Sequence, residues 1–127
     1  MFKILVVEDN EMNRDILTRR LKRRGYDIST AMDGIEGISK VKSESPDLVL
    51  MDIQLPLMNG LDATRMLKAS PDTQDIPIIA LTAFPDFADK RQSLQAGCDD
   101  YDLKPVEICR LLRKIEALLD KKNPGEN

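Results

Sequence analysis

The sequence predicts an α/β fold, an open five-stranded parallel sheet doubly wound with helices on both faces, in the strand order 2-1-3-4-5. Three observations predict it. Short apolar runs rich in β-branched residues recur at residues 4–7, 28–31, 48–51 and 78–82, with a weaker run at 101–103. Stretches with helical spacing of apolar residues separate these runs. The early strand runs are nearly continuous in apolar character, as expected when both faces of a strand are covered. Strict alternation of strand and helix returns the chain to the same end of the sheet at each crossover, which makes the sheet parallel.

Each element has its own signal. The first strand runs into an acidic pair and then a helix whose apolar positions are Met12, Ile16, Leu17 and Leu21, with Asn10 as N-cap and Gly25 as stop. The second leads to a helix marked by Ile35, Ile38 and Val41, where Asp33 and Glu36 fit a capping box. After the third strand, Asn59 caps a helix carrying Leu61, Met66 and Leu67. The fourth precedes a thin apolar stripe, capped by Asp86, anchored by Phe87 and Leu94 and stopped by Gly97. The weak fifth strand is followed by the clearest amphipathic stretch: Ile108, Leu111, Leu112, Ile115, Leu118 and Leu119.

Length and composition bound the rest. A chain of 127 residues with 42% hydrophobic and 32% charged residues fits one domain, expected over residues 1–121, with residues 122–127 as a flexible C-terminal tail. A net charge of −3 and a pI near 5.0 argue against general affinity for nucleic acid or an anionic membrane. Histidine is absent, which excludes imidazole catalysis and any phosphohistidine on this chain. Cys98 and Cys109 lack CxxC spacing and read as reduced, mostly packed thiols. No segment has the pattern of a signal peptide or a membrane span, so a cytoplasmic location is expected.

Hydrophilic residues interrupt the pattern at strand ends. Glu8 and Asp9 follow the first strand, Asp52 the third, Thr82 closes the fourth and Lys104 follows the fifth. In a parallel sheet these carboxyl ends share one edge, and open α/β sheets bind ligands where the strand order reverses. Here the reversal falls between strands 1 and 3, which brings Glu8-Asp9 and Asp52 to one crevice and leaves strand 2 at an edge. Any one of these residues alone is ordinary surface or loop; their joint occurrence carries the argument.

Glu8, Asp9 and Asp52 against Lys104 leave an excess of two negative charges. Like charges about 4 Å apart repel by about 4 kcal/mol at a surface-like dielectric, so a divalent cation would relieve the crevice. With oxygen ligands and no His or Cys in the cluster, Mg²⁺ fits better than zinc. A carboxylate nucleophile, a metal that neutralises oxygens, a lysine and a hydroxyl are the parts that aspartyl phosphate formation needs.

Five segments carry a family resemblance: Val6-Val7-Glu8-Asp9-Asn10, Asp47-Leu48-Val49-Leu50-Met51-Asp52, Leu55-Pro56-Leu57-Met58-Asn59-Gly60, Leu81-Thr82-Ala83 and Lys104-Pro105. Together they resemble the receiver domain of two-component response regulators, over residues 3 to about 120. The resemblance implies the flavodoxin-like fold and a Mg²⁺-dependent transfer of phosphate to Asp52 from a phosphohistidine on a sensor histidine kinase or histidine phosphotransfer protein. It also implies individual roles. Glu8, Asp9, Asp52 and the Gln54 carbonyl would hold the metal, Glu8 through water. Thr82 and the Ala83 amide would bind the phosphoryl group, Lys104 would pair with it across a cis Lys104-Pro105 bond, and Tyr101 occupies the aromatic switch position. Gln54 and Phe84 would tune the phosphoryl lifetime.

The chain ends soon after the last helix, which resembles a stand-alone receiver whose output is phosphorylation-dependent binding of a downstream protein, as in phosphorelays. It is read as a signalling domain rather than an enzyme. The alternative is a Mg²⁺-dependent phosphohydrolase with an aspartate nucleophile, for which Asp52-Ile53-Gln54 lacks the second acid of the haloacid-dehalogenase pattern. Arg19, Arg20, Lys22, Arg23 and Arg24 complement the carbonyl end of the first helix dipole and form a candidate kinase contact. Met12, Met51, Met58 and Met66 read mainly as core filler.

Overall fold

Alternation of side chains along the strands divides the core into two layers. In the computed structural model the backbone is described for residues 1–83 and 87–122, and side chains for 1–83 and 90–121. Its elements are β1 (Lys3–Val7), α1 (Glu11–Arg23), β2 (Asp27–Ala31), α2 (Gly34–Glu44), β3 (Leu48–Asp52), α3 (Gly60–Ala69), β4 (Ile78–Thr82), α4 (Phe87–Gln95), β5 (Asp100–Leu103) and α5 (Ile108–Lys122). All strand pairs are parallel, in the order β2-β1-β3-β4-β5. Expectations for the Asp86 cap, Phe84, the Phe87 side chain and the tail past residue 122 lie outside the described residues.

Leu5, Val7, Val49, Met51, Ile78 and Ala80 face α2 and α3, where Ile38, Val41, Ala63 and Leu67 close the layer. Ile4, Val6, Leu48, Leu50, Ile79 and Leu81 face the other way, against Leu17 and Leu21 of α1 and Leu111, Leu112, Ile115 and Leu119 of α5. Each large side chain removed from water in this way contributes about 2 kcal/mol. The caps form as their residue types dictate: Asn10, Asp33 and Asn59 accept the amides of Asn13, Glu36 and Asp62 at 2.9, 2.8 and 2.9 Å. Gly25 and Gly97 take φ of 92° and 105° after α1 and α4, a conformation that costs glycine little.

The apolar stripes are narrower than the spacing predicts. Met12 and Ile35 are exposed because they sit in first helical turns, which enter from the carboxyl edge and overhang the sheet. Ile16 is exposed too. Met66 is exposed on α3, so among the four methionines only Met51 is fully buried and Met58 packs partly against the core. Leu94 is exposed and does not anchor α4; among the described side chains of that helix Ser93 is buried, as is Ala96 just after its end. Of the two thiols, Cys98 is buried and Cys109 exposed.

Candidate functional site

Strand register assembles the crevice. Val7 lies level with Met51, so Glu8 stands beside Asp52. Asp52 is level with Leu81, and Thr82 with Leu103, so Lys104 emerges one step further along the carboxyl edge. Its side chain reaches the crevice, where the ammonium lies 2.8 Å from Asp52 Oδ2 and 2.8 Å from Glu8 Oε1. The Lys104 amide donates to the Thr82 carbonyl at 2.8 Å, and the Lys104-Pro105 bond is cis. On the other flank, the Gln54 amide donates to Asp52 Oδ1 at 3.1 Å. Gly60 lets α3 begin against this turn: its amide donates to the Ile53 carbonyl, and a Cβ there would stand 2.0 Å from the Asp52 carbonyl oxygen.

Burial and charge work against each other here. Asp52 and Glu8 are 1% and 2% exposed, whereas Asp9 is open to solvent. Burial, reinforced by the adjacent Glu8 carboxylate, pushes the Asp52 carboxyl up to about 7. Burial also opposes charge on Glu8, but the proton on Asp52 and the Lys104 ammonium outweigh it and hold Glu8 below the usual carboxylate range. Burial would lower Lys104 as well; its two acidic partners raise it instead. Two buried acids therefore share one half-buried ammonium, and a proton completes the balance on Asp52.

A divalent cation would complete it better. Carboxylate oxygens of Glu8, Asp9 and Asp52 lie within 4.8 Å of one another, a hard all-oxygen donor set suited to Mg²⁺. Thr82 is buried at the end of β4, and Ala83 after it is exposed at the rim. Tyr101, half-buried on the edge strand β5, packs against the α2–α3 core layer, with the ammonium groups of Lys90 and Lys114 at 5.2 and 4.9 Å from its ring centre. Beside the crevice, a groove of about 530 Å³ separates α1 from the connection after β5 and is floored by Ile16, Leu17, Leu81 and Val106. Arg20 also lines it.

Two features escaped the sequence. Asp102 is buried on β5 and bonds Arg110 Nε at 2.7 Å; within a four-residue strand bearing acids at both Asp100 and Asp102, no alternation distinguishes the buried acid. Arg14 donates from Nη1 to the carbonyls of Glu8 at 2.9 Å and Asp9 at 3.4 Å. Its signal was available, because a cation in the second turn of a helix sits at the unfavourable end of the dipole.

Comparison with known proteins agrees with this architecture. Residues 4–116 match the response regulator receiver domain family. The polar-differentiation response regulator DivK of Brucella anthropi is 36% identical over 116 residues, 91% of this chain and 94% of that protein. The receiver domain of sensor histidine kinase PA1611 from Pseudomonas aeruginosa, solved with a magnesium ion coordinated in its active site cleft, superposes with a TM-score of 0.87 at 36% identity, covering 93% of this chain and 97% of that one. The receiver domain of Ssk1 from Saccharomyces cerevisiae, co-crystallised with the histidine phosphotransfer protein Ypd1, gives a TM-score of 0.84 at 32% identity, covering 90% of this chain and 86% of that one.

Proposed function

This chain belongs to the response regulator receiver domain family, and on that premise we propose that Asp52 is its phosphoacceptor, served by Glu8, Asp9, Thr82, Ala83 and Lys104. The observation that carries the reading is the buried Asp52 carboxylate held 2.8 Å from the Lys104 ammonium inside a cluster of three acids. An Asp52 carboxylate oxygen attacks the phosphorus of a phosphohistidine, the phosphorus–nitrogen bond breaks, and the imidazole leaves with its electron pair and takes up a proton. Lys104 stabilises the charge that develops on the phosphoryl oxygens, and the Thr82 hydroxyl and Ala83 amide donate to them. Glu8, Asp9, Asp52 and the Gln54 carbonyl would hold Mg²⁺, which when bound neutralises the transferring oxygens and the excess acid charge.

The donor is a sensor histidine kinase or a histidine phosphotransfer protein. The groove beside α1 supports this, because it combines an apolar floor with Arg20 in its lining. Arg19, Arg20 and Arg23 ring the neighbouring surface of α1 and offer charges to an acidic partner. In this reading residues 1–121 form a signalling unit that turns over no substrate other than its own phosphoryl group, acts in the cytoplasm, and passes the signal to a downstream protein through Tyr101. Gln54, whose amide bonds Asp52, and Phe84 govern how long the phosphoryl group survives. Among the described residues no helix is long and apolar enough to cross a membrane.

Incubation with acetyl phosphate and Mg²⁺ tests the acceptor. One acid-stable, base-labile phosphoryl group per chain is expected on the wild type and none on Asp52→Asn. Equal labelling of that variant would move the acceptor elsewhere, and release of many phosphates per chain would favour a hydrolase.

A further inference from the structure

Arg14 is the one cation of α1 whose guanidinium turns back onto the acidic loop: Nη1 reaches the Glu8 carbonyl at 2.9 Å and the Asp9 carbonyl at 3.4 Å. It is half-buried, whereas Arg19, Arg20, Lys22, Arg23 and Arg24 are exposed. Its position is electrostatically unfavourable as helix chemistry goes. Asn10 is the N-cap, and the Arg14 amide bonds the Asn10 carbonyl, so the side chain springs from the start of the helix, where the dipole favours anions. Further along, the cations sit at the carbonyl end that suits them. What offsets the cost at Arg14 is the acid cluster.

The loop it grips has a demanding task. Residues 8–10 must turn from β1 into α1 while Glu8 and Asp9 both present carboxylates to the crevice. Their carbonyls belong neither to β1, which ends at Val7, nor to α1, whose first acceptor is Asn10. Arg14 supplies donors to both. Because it bonds carbonyl oxygens and not carboxylates, its positive charge tempers the acid excess without competing for a metal's ligand atoms.

We propose that Arg14 is a positioning residue for the cation site: it locks the turn that aims Glu8 and Asp9 and supplies background charge to the cluster. This rests on the metal-dependent reading above and adds a residue to it. Outer partners that orient metal ligands typically affect affinity by tenfold or more, so Arg14→Gln should weaken Mg²⁺ binding by about tenfold. Arg14→Lys, which keeps the charge on a shorter and less directional head, should fall between that variant and the wild type.

The experiment is calorimetric titration of the full-length protein with Mg²⁺ at low and at physiological salt, alongside urea unfolding of the metal-free forms. Leu21→Val, which weakens α1 packing far from the loop, separates positioning from helix stability: it should lose stability and keep the wild-type Mg²⁺ dissociation constant. A loss for Arg14→Gln that persists at physiological salt, with Leu21→Val unaffected, supports the inference. Wild-type affinity in Arg14→Gln overturns it, as would a Leu21→Val loss equal to that of Arg14→Gln. If the wild type itself bound no Mg²⁺, the metal-dependent reading would fail first, so the two failures are distinguishable.

Discussion

Asp52 and Asp102 are both 1% exposed, both lie on strands near the carboxyl edge, and both touch a cation within 2.8 Å, yet their surroundings differ in sign. Asp52 shares its lysine with Glu8 and has Asp9 close by, so acids outnumber cations. Asp102 has Arg110 at 2.7 Å and Lys114 at 4.0 Å, and its Oδ1 also accepts the Leu103 amide at 2.8 Å. Its Oδ2 has no hydrogen-bond partner among the described residues. An unbalanced buried cluster is a place for a ligand, whereas a balanced one is a strut. The difference is visible only once burial and partners are known together, because both acids look alike in a strand sequence.

The largest effect should come from removing the imbalance. Burial and Glu8 raise the Asp52 carboxyl from 3.8 to about 7, so forcing it to ionise above pH 7 costs the fold about 2–4 kcal/mol. Metal-free Asp52→Asn should therefore be more stable than the wild type by about that amount at pH 8, while lacking the acceptor carboxylate proposed above. Between the unfolded and folded values the native state holds the extra proton. Metal-free wild-type stability should fall as pH rises from about 4 to about 7, and the mutant should lack this slope. Glu8, held below its ordinary value, adds a loss only on the acid side of 4.5. Millimolar Mg²⁺ should close the gap by binding the folded wild type. Urea titrations across pH with and without Mg²⁺ would measure all of this, and a destabilised Asp52→Asn would refute the account.

The balanced cluster should answer in the opposite direction and more weakly. Asp102→Asn removes one partner of a buried pair, but Arg110 is 37% exposed and can turn to water, so the loss should be about 1–2 kcal/mol rather than the full cost of a stranded charge. Acetyl phosphate labelling should be unchanged. Urea midpoints and labelling of this one variant would separate strut from site, and lost labelling in a folded protein would join the two clusters into one.

Much of this was legible in the sequence because periodicity and punctuation are local. Three of the caps, both glycine stops, all five strands and their order follow from runs, spacings and the parallel crossover rule. The crevice was legible because strand ends in a parallel sheet share an edge. What escaped was set by reach. Whether Met12, Ile16 and Ile35 are covered depends on how far a helix overhangs its sheet, and whether Ser93 or Leu94 faces inward depends on the rotation of a helix with a weak stripe. Long side chains such as Arg14, Arg110 and Lys114 choose partners well beyond a helical turn, as Lys114 does with the Tyr101 carbonyl, and spacing alone does not rank those choices.

The smallest expected effect joins the two clusters. Tyr101 lies on β5 next to residues of both: Asp102 follows it in sequence, Lys104 is three residues on, and its carbonyl accepts Lys114 Nζ at 2.5 Å. A phosphoryl group on Asp52 adds charge and acceptor oxygens to the crevice, which should draw the Thr82 hydroxyl and open space for the Tyr101 ring to move. Any such movement disturbs the ring's contacts with Lys90 and Lys114, interactions of about 1 kcal/mol or less apiece, so the response is a shift in local opening rather than a refolding. Amide exchange with and without a beryllofluoride phosphoryl mimic should show altered protection across residues 84–108 in the wild type, and much smaller changes in Tyr101→Ala and Thr82→Ala. Asp102→Asn should leave the mimic's binding intact while raising the baseline exchange of β5. Changes confined to α1, or equal changes in the Tyr101 and Thr82 variants, would mean that the crevice signals by a route that does not pass through β5.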